Sequence, residues 1–210
     1  MLLRVRVSLP DRPGALGAVT RTLGAAGADI LQVTVLESAA GRALDEFTVS
    51  VANPAVKDRV GAGLEAAPGV RVEGIWETAE PPGAFPDLGV LAQVAMNPAR
   101  GLATLVDAAP ALFSAEWAAL VETEPSVEIL ASSWQAPSEI PLPDLTPLRP
   151  RTLSIPGGPH LAAAPFEGTS TALMIARGAA PVFHDVELTR LMVLVDIVGA
   201  IVGKGANAVS

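Results

Sequence analysis

Leu9-Pro10-Asp11-Arg12-Pro13-Gly14-Ala15-Leu16 joins two stretches of opposite periodicity, and reading it decides the first fold in this chain. Upstream, residues 2–9 alternate apolar and polar side chains after Leu2 and Leu3, the two-residue period of a half-buried strand. Downstream, Leu16, Val19, Thr20 and Leu23 recur at helical spacing until Gly24 and Gly27 supply a stop. Between them, Pro10 to Gly14 is a dense turn signal. A strand is therefore expected to reverse into a helix within five residues.

Residues 29–37 are rich in β-branched side chains and read as a second strand, joined through Ala39-Ala40-Gly41 to a third over about 43–51. Leu44, Phe47, Val49 and Val51 are its main apolar positions. Asn53 is placed to cap a second helix with Pro54 at its first position, and Val56, Val60 and Leu64 form its apolar stripe. Pro68-Gly69 ends it, and Val70 to Thr78 reads as a fourth strand. The order β-α-β-β-α-β is the ferredoxin-like arrangement. With both helices on one sheet face, the other is expected to be only partly covered and to need a partner.

With that order in place, Leu9 to Leu16 resembles the ACT-domain signature, a strand followed by Asp-x-Pro-Gly-x-Leu and a helix. Ala25-Ala26-Gly27-Ala28-Asp29-Ile30 is similar to the family's small-Gly-x-Asn-Ile approach to the second strand, with Asp29 where Asn is common. The match covers residues 1–79. The resemblance implies pairing through sheets or helices, and small ligands, usually amino acids, bound near the loop–helix junction at a domain interface. Asp11, Arg12, Pro13, Gly14, Ala15, Leu16, Asp29, Ile30 and Leu31 are the candidate ligand-binding residues. Elementary chemistry points the same way. Gly14 lets a ligand approach the backbone, and the first amides of the helix lack intrahelical acceptors and attract a carboxylate. Asp11 or Asp29 would receive an ammonium group, Ile30 and Leu31 would line a side-chain pocket, and Arg12 would either clamp the carboxylate or face water. The plainer alternative is an ordinary strand-to-helix turn in which Asp11 only caps.

Residues 80–86 have the proline and glycine density of a linker, and 87–210 read as a second domain. Leu88 to Ala109 is helical in pattern with a break or kink at Pro98, and Leu88, Leu91, Val94, Ala95, Leu102, Leu105 and Val106 are its apolar positions. Glu116–Val121 and Val127–Ser132 are strand-like, 136–150 is a proline-rich loop, and Arg151–Ile155 is a further strand. His160–Phe166 and Thr171–Arg177 resemble a hairpin, Asp185–Val202 is an amphipathic helix, and Gly203 to Ser210 reads as a frayed tail. This half resembles a GAF-like domain through Glu116-Trp-Ala-Ala-Leu-Val121, Leu161-Ala-Ala-Ala-Pro-Phe-Glu-Gly168 and the Pro181 to Leu191 approach to the last helix. The fold class is thus α+β: a ferredoxin-like ACT domain followed by a GAF-like α/β domain with an antiparallel sheet and flanking helices.

Composition narrows the chemistry. A net charge of −8 in 210 residues, with no basic cluster, disfavours nucleic acid and anionic membrane surfaces. There is no cysteine, which removes disulfides, thiolate metal sites and thiol nucleophiles, and only His160 and His184 are available as imidazoles. Ser132, Ser133, His160 and Asp144 lack a Gly-x-Ser-x-Gly elbow. Glu116, Glu122, Glu124 and Glu128 read as a solvated acidic face, and His184 with Asp185 and Glu187 as a helix start. Trp76, Trp117 and Trp134 lack interleaved Arg or Lys, as core or interface residues would. No signal-peptide pattern is present, so a cytoplasmic location is expected. The sequence therefore reads as a regulatory protein without catalytic activity, cofactor or metal, forming a homodimer or higher homo-oligomer around a small-molecule ligand. The rivals are a dimerisation scaffold that binds no metabolite, and an enzyme of amino-acid metabolism with its site in the C-terminal half.

Overall fold

The computed structural model describes residues 1–207 except 81, 84 and 141, and no side chain from 204 onward. Part of the expected linker, one position of the proline-rich loop and the last three residues of the expected tail therefore lie outside the described residues. The chain divides into two compact units, Met1–Ala84 with Ala179–Pro181, and Phe85–Gly178 with Val182–Ser210.

In the first unit, β1 (Leu2–Pro10), α1 (Ala15–Ala26), β2 (Asp29–Ala39), β3 (Arg42–Ser50), α2 (Pro54–Glu65) and β4 (Arg71–Glu77) follow one another as expected. The antiparallel sheet has the order β2-β3-β1-β4, so β1 is central and β2 and β4 are edges. Leu3, Val5, Val7 and Leu9 of β1 pack with Phe47 and Val49 of β3 beneath Val19 and Leu23 of α1 and Val56, Val60 and Leu64 of α2. Each such side chain withdrawn from water contributes about 1.5–3 kcal/mol. Gly27 ends α1 at φ +88, where its own N–H and that of Ala28 return to Gly24 and Leu23 carbonyls. Asn53 occupies the cap position of α2 and Pro54 the first helical one, but the Asn53 side chain makes no capping hydrogen bond.

Two expectations for the sheet change. β1 is buried on both faces, because it is central and because its polar face meets its own partners: Arg6 is 3% exposed. Arg6 Nε and Nη2 donate to Glu46 Oε2 at 3.0 and 2.6 Å, Arg4 Nη1 donates to Glu46 Oε1 at 2.8 Å, and Arg4 also pairs with Glu80. The Arg6 guanidinium lies 5.2 Å from the Trp76 ring centroid. Much of the face expected to await a partner is thus closed by an ion-pair network. In β3, the core side chains are Phe47 and Val49 with Asp45, and Leu44 belongs to the opposite face, where its register partner is Ser8. The β2–β3 hairpin turns through Ala40 and Gly41, both at positive φ.

In the second unit, Pro98 divides the expected long helix into α3 (Pro86–Met96), a 3-10 turn (Pro98–Arg100) and α4 (Gly101–Leu112). Val90 and Val94 are the buried residues of α3, whereas Leu88 is 62% exposed. Strands β5 (Trp117–Glu122), β6 (Glu128–Ser132), β7 (Arg151–Ser154), β8 (His160–Pro165) and β9 (Thr171–Arg177) form one antiparallel sheet of order β6-β5-β9-β8-β7. One face packs on α3, α4 and α5 (Asp185–Asn207) through Leu120, Leu173, Ile175, Leu105, Leu191 and Val195. The other is covered by the chain's own Ala136, Ile140, Leu153 and Ile155. Helix α5 continues to Asn207, into the stretch expected to fray, and no helix among the described residues is long and apolar enough to cross a membrane. A fully buried Arg177 donates to Glu187 Oε1 and Oε2 at 2.8 and 3.0 Å and to the Phe113 carbonyl at 3.2 Å, tying β9 to the start of α5 and the end of α4.

Glu46 serves two arginines in a desolvated setting, so Glu46→Ala removes the carboxylate that faces the buried charge of Arg6. The expected loss is about 3–5 kcal/mol in urea unfolding. Ala40→Gly, relieving a left-handed alanine, is expected to add about 1 kcal/mol by the same measurement.

Candidate functional site

The strand-to-helix corner is built by its backbone. Asp11 N–H donates to the Gly41 carbonyl at 2.9 Å, Arg12 N–H to Pro10 at 3.0 Å and Ala15 N–H to Arg12 at 3.2 Å. Gly14 sits at φ +87, a left-handed conformation that costs an ordinary L-residue about 1–2 kcal/mol. Gly17 N–H returns to the Gly14 carbonyl at 3.1 Å. Among the described residues, the Gly14 and Leu16 amides have no acceptor. A Cβ added at Gly14 would meet nothing within 4 Å.

Gly14, though not Leu16, borders a cavity of about 280 Å³ lined by Leu9, Pro10, Arg12 to Ala15, Ala18, Pro68 and Val70. Arg12 is the only charged residue among the lining ones, and its guanidinium is exposed. A positive side chain, a free Gly14 amide and the positive end of a helix dipole together suit an anion such as a carboxylate. The wall opposite the loop comes from the turn after α2. Arg42 holds that turn, donating through Nη2 to the Gly69 and Ser8 carbonyls at 3.2 and 2.8 Å and through Nε to Ser8 Oγ at 2.8 Å. Gly69, at φ +80, leaves room for Pro10, whose Cγ would stand 3.1 Å from an added Cβ.

The structure brings Arg12, Pro13, Gly14 and Ala15 together and sets the other candidates elsewhere. Asp11 turns toward the β2–β3 hairpin, where Ser38 Oγ donates to its Oδ2 at 2.5 Å. Leu16 is partly exposed on α1 and does not line the cavity. Asp29, Ile30 and Leu31 open β2, opposite Ser50 and Val49, whereas Asp11 follows the other end of β1, beyond the pairing of Pro10 with Arg42. Eight residues of strand, about 26 Å, separate the two groups within one chain. Ile30 packs on the domain core and Leu31 is exposed.

Pro68, Val70 and Arg42 escape a reading of the sequence, because two enter through a distant turn and the third through its backbone partners. Asp45 escapes as well. It is 3% exposed on the helix side of β3, its Oδ1 has no hydrogen-bond partner, and burial together with the nearby Asp11 charge raises its pKa above the usual aspartate range.

Most of the residues weighed as acids, bases or nucleophiles are bonded locally. Ser133 Oγ accepts from Ala118 N–H at 3.0 Å, His160 Nδ1 bonds Ser154 Oγ at 2.9 Å, and Asp144 accepts from Thr146 N–H at 2.8 Å. Glu122 accepts from Thr171 Oγ1, Glu116 from Gly178 N–H and Glu128 from Ser126 Oγ. His184 stands at the start of α5, its N–H donating to Glu187 and its Nδ1 accepting from Val186 N–H. Among the described residues, no three His, Cys, Asp or Glu side chains are grouped to hold a metal ion.

Residues 3–62 match the family model of the ACT domain. A crystal structure of a formyltetrahydrofolate deformylase from Pseudomonas putida KT2440 aligns at TM-score 0.30 and 14% identity, over 46% of this chain and 39% of that one. This chain thus spans about two fifths of that structure's length. A crystal structure of an unknown protein from Galdieria sulphuraria aligns at TM-score 0.30 and 15% identity, covering 96% of this chain and 93% of the other. No curated protein matches the chain.

Asp45 gives the corner a pH signature. Its raised pKa means the folded chain holds the proton more tightly than the unfolded one, so the carboxylate costs stability as pH rises from about 3.9 through the raised value. Asp45→Asn, equal in shape and uncharged, is expected to raise the melting temperature at pH 7, with the gain shrinking toward pH 4.

Proposed function

We propose that the ACT domain at residues 3–62 is an amino-acid sensor, with its ligand held at the Gly14 corner and completed across an interface with a second copy. The single observation that carries this reading is the cavity at Gly14, which the unpaired Gly14 amide and Arg12 border. A ligand carboxylate accepts from the Gly14 amide and from Arg12. Asp11 and Asp29 are the candidates for the ammonium group, and they lie at opposite ends of the sheet.

A second copy removes that separation. β2 is an edge strand with Leu31, Val33 and Val35 at 42%, 38% and 61% exposure, so it offers apolar surface along an open ladder. Antiparallel pairing of two β2 strands about Thr34 would set Asp29 to Leu31 of one copy against Glu37 to Ala39 of the other. The latter segment adjoins Asp11 through the Ser38 hydrogen bond. Ligand bridging the two would favour the paired arrangement by its differential affinity for paired and separate copies. On this reading the chain works by rearranging an oligomer, without catalysis, and the GAF-like half relays the change. The local bonding of His160, Ser133, Glu116, Glu122 and Glu128 supports that reading over an enzyme of amino-acid metabolism.

Thermal-shift measurements of the full chain against the proteinogenic amino acids test it. One member at 100 times its dissociation constant is expected to stabilise the fold by about 2.7 kcal/mol. Arg12→Ala, an exposed change, is expected to weaken that binding about tenfold. Asp29→Ala is expected to weaken it only where sedimentation shows the chain to be oligomeric. No response from any member would leave the interaction scaffold as the surviving reading, as would a response indifferent to Arg12.

A further inference from the structure

The second domain holds a larger cavity, of about 430 Å³, on the helix side of its sheet. It opens between α5, the start of α4 and the turn joining β8 to β9. That volume falls in the range of about 300–1,000 Å³ typical of small-molecule sites. Leu102, Phe166, Val195 and Val202 give it apolar walls, and Val195 and Phe166 are buried. Two carboxylates, Glu167 and Asp196, stand at its border, and among the described lining residues there is no Lys, Arg or His. Neither carboxylate makes a hydrogen bond or ion pair with the described residues.

The glycines of α5 bear on the same point. A glycine inside a helix costs about 1 kcal/mol relative to alanine. Close packing accounts for Gly199, where an added Cβ would stand 3.2 Å from the Phe166 ring. It does not account for Gly203, one turn further along, where an added Cβ would meet nothing within 4 Å. Gly203 lines the cavity, and its missing side chain is part of the room there.

We propose that this cavity binds a small organic cation, an aryl- or alkylammonium whose apolar body lies against Phe166, Val195 and Leu102 while its ammonium group meets Glu167 and Asp196. Shape and charge each contribute. The apolar walls exclude water from the body of the ligand, and the two carboxylates supply charge-assisted acceptors. The net charge of −8 favours a cation and opposes an anion of the same size. This site is independent of the Gly14 corner, and either can fail alone.

The test is titration of the full, ¹⁵N-labelled chain with phenethylammonium, its neutral counterpart 2-phenylethanol and its anionic counterpart 3-phenylpropanoate. Phenethylammonium is expected to shift amides of Thr169 to Thr171 and Asp196 to Gly203, with the alcohol at least tenfold weaker and the acid without effect at those positions. Glu167→Gln and Asp196→Asn, both exposed changes, are each expected to weaken the amine about fivefold and to leave the alcohol unchanged. Gly203→Leu, which fills the space and favours the helix, is expected to abolish binding while the far-ultraviolet circular dichroism is retained. Arg12→Ala is expected to have no effect on it. Equal binding of amine and alcohol, binding that survives Gly203→Leu, or no shift with the amine would each overturn the proposal.

Discussion

A reversal of chain direction within five residues, from Pro10 to Gly14, is the constraint on which the first domain depends. Two prolines stiffen it, and only a residue without a Cβ takes the left-handed conformation at position 14 freely. Because the turn is short, α1 begins directly over the end of β1, which places Val19 and Leu23 on the core formed by Val5, Val7 and Phe47. In the same turn the Ala15 amide returns to the Arg12 carbonyl while the Gly14 amide is left without an acceptor among the described residues. Packing and binding surface here have one cause.

The central strand shows a second economy. β1 sends Leu3, Val5, Val7 and Leu9 into the core and Arg4, Arg6 and Ser8 to the opposite side, and the second set is as deeply placed as the first in its middle. Such burial is tolerated because Glu46 answers both arginines with its two oxygens and Trp76 covers the guanidinium. In the second domain, Arg177 and Glu187 repeat the solution at a different joint. There it locks a strand to a helix start, and Phe183 lies under the guanidinium at 3.9 Å.

Local punctuation made much of this legible in the sequence. Gly27, Asn53-Pro54 and Pro68-Gly69 mark boundaries that do not depend on tertiary contacts, and the element order of the first unit follows from them. What escaped depends on which face a residue meets. Arg6 reads as solvated until Glu46 is placed opposite it, Leu44 reads as core until the register gives that side to Asp45, and Leu88 reads as buried until α3 is rotated to bury Val90. At the Gly14 corner the loop residues were legible from Pro13-Gly14 and the helix that follows. Pro68, Val70 and Arg42 were not, because they arrive from elements separated by tens of residues. The cavity along α5 is the extreme case, assembled from three distant segments with no local signature.

The open edge of β2 has a consequence beyond recognition. Eleven residues of extended chain with exposed Leu31, Val33 and Val35, and no proline among them, form a ladder that any similar strand can extend. A copy diluted or truncated so that this edge stays bare presents a template for runaway strand addition, the growth mode of fibrils. Self-association there would act as a guard as well as a switch: sealing the edge in a closed pair takes it out of reach of open-ended assembly.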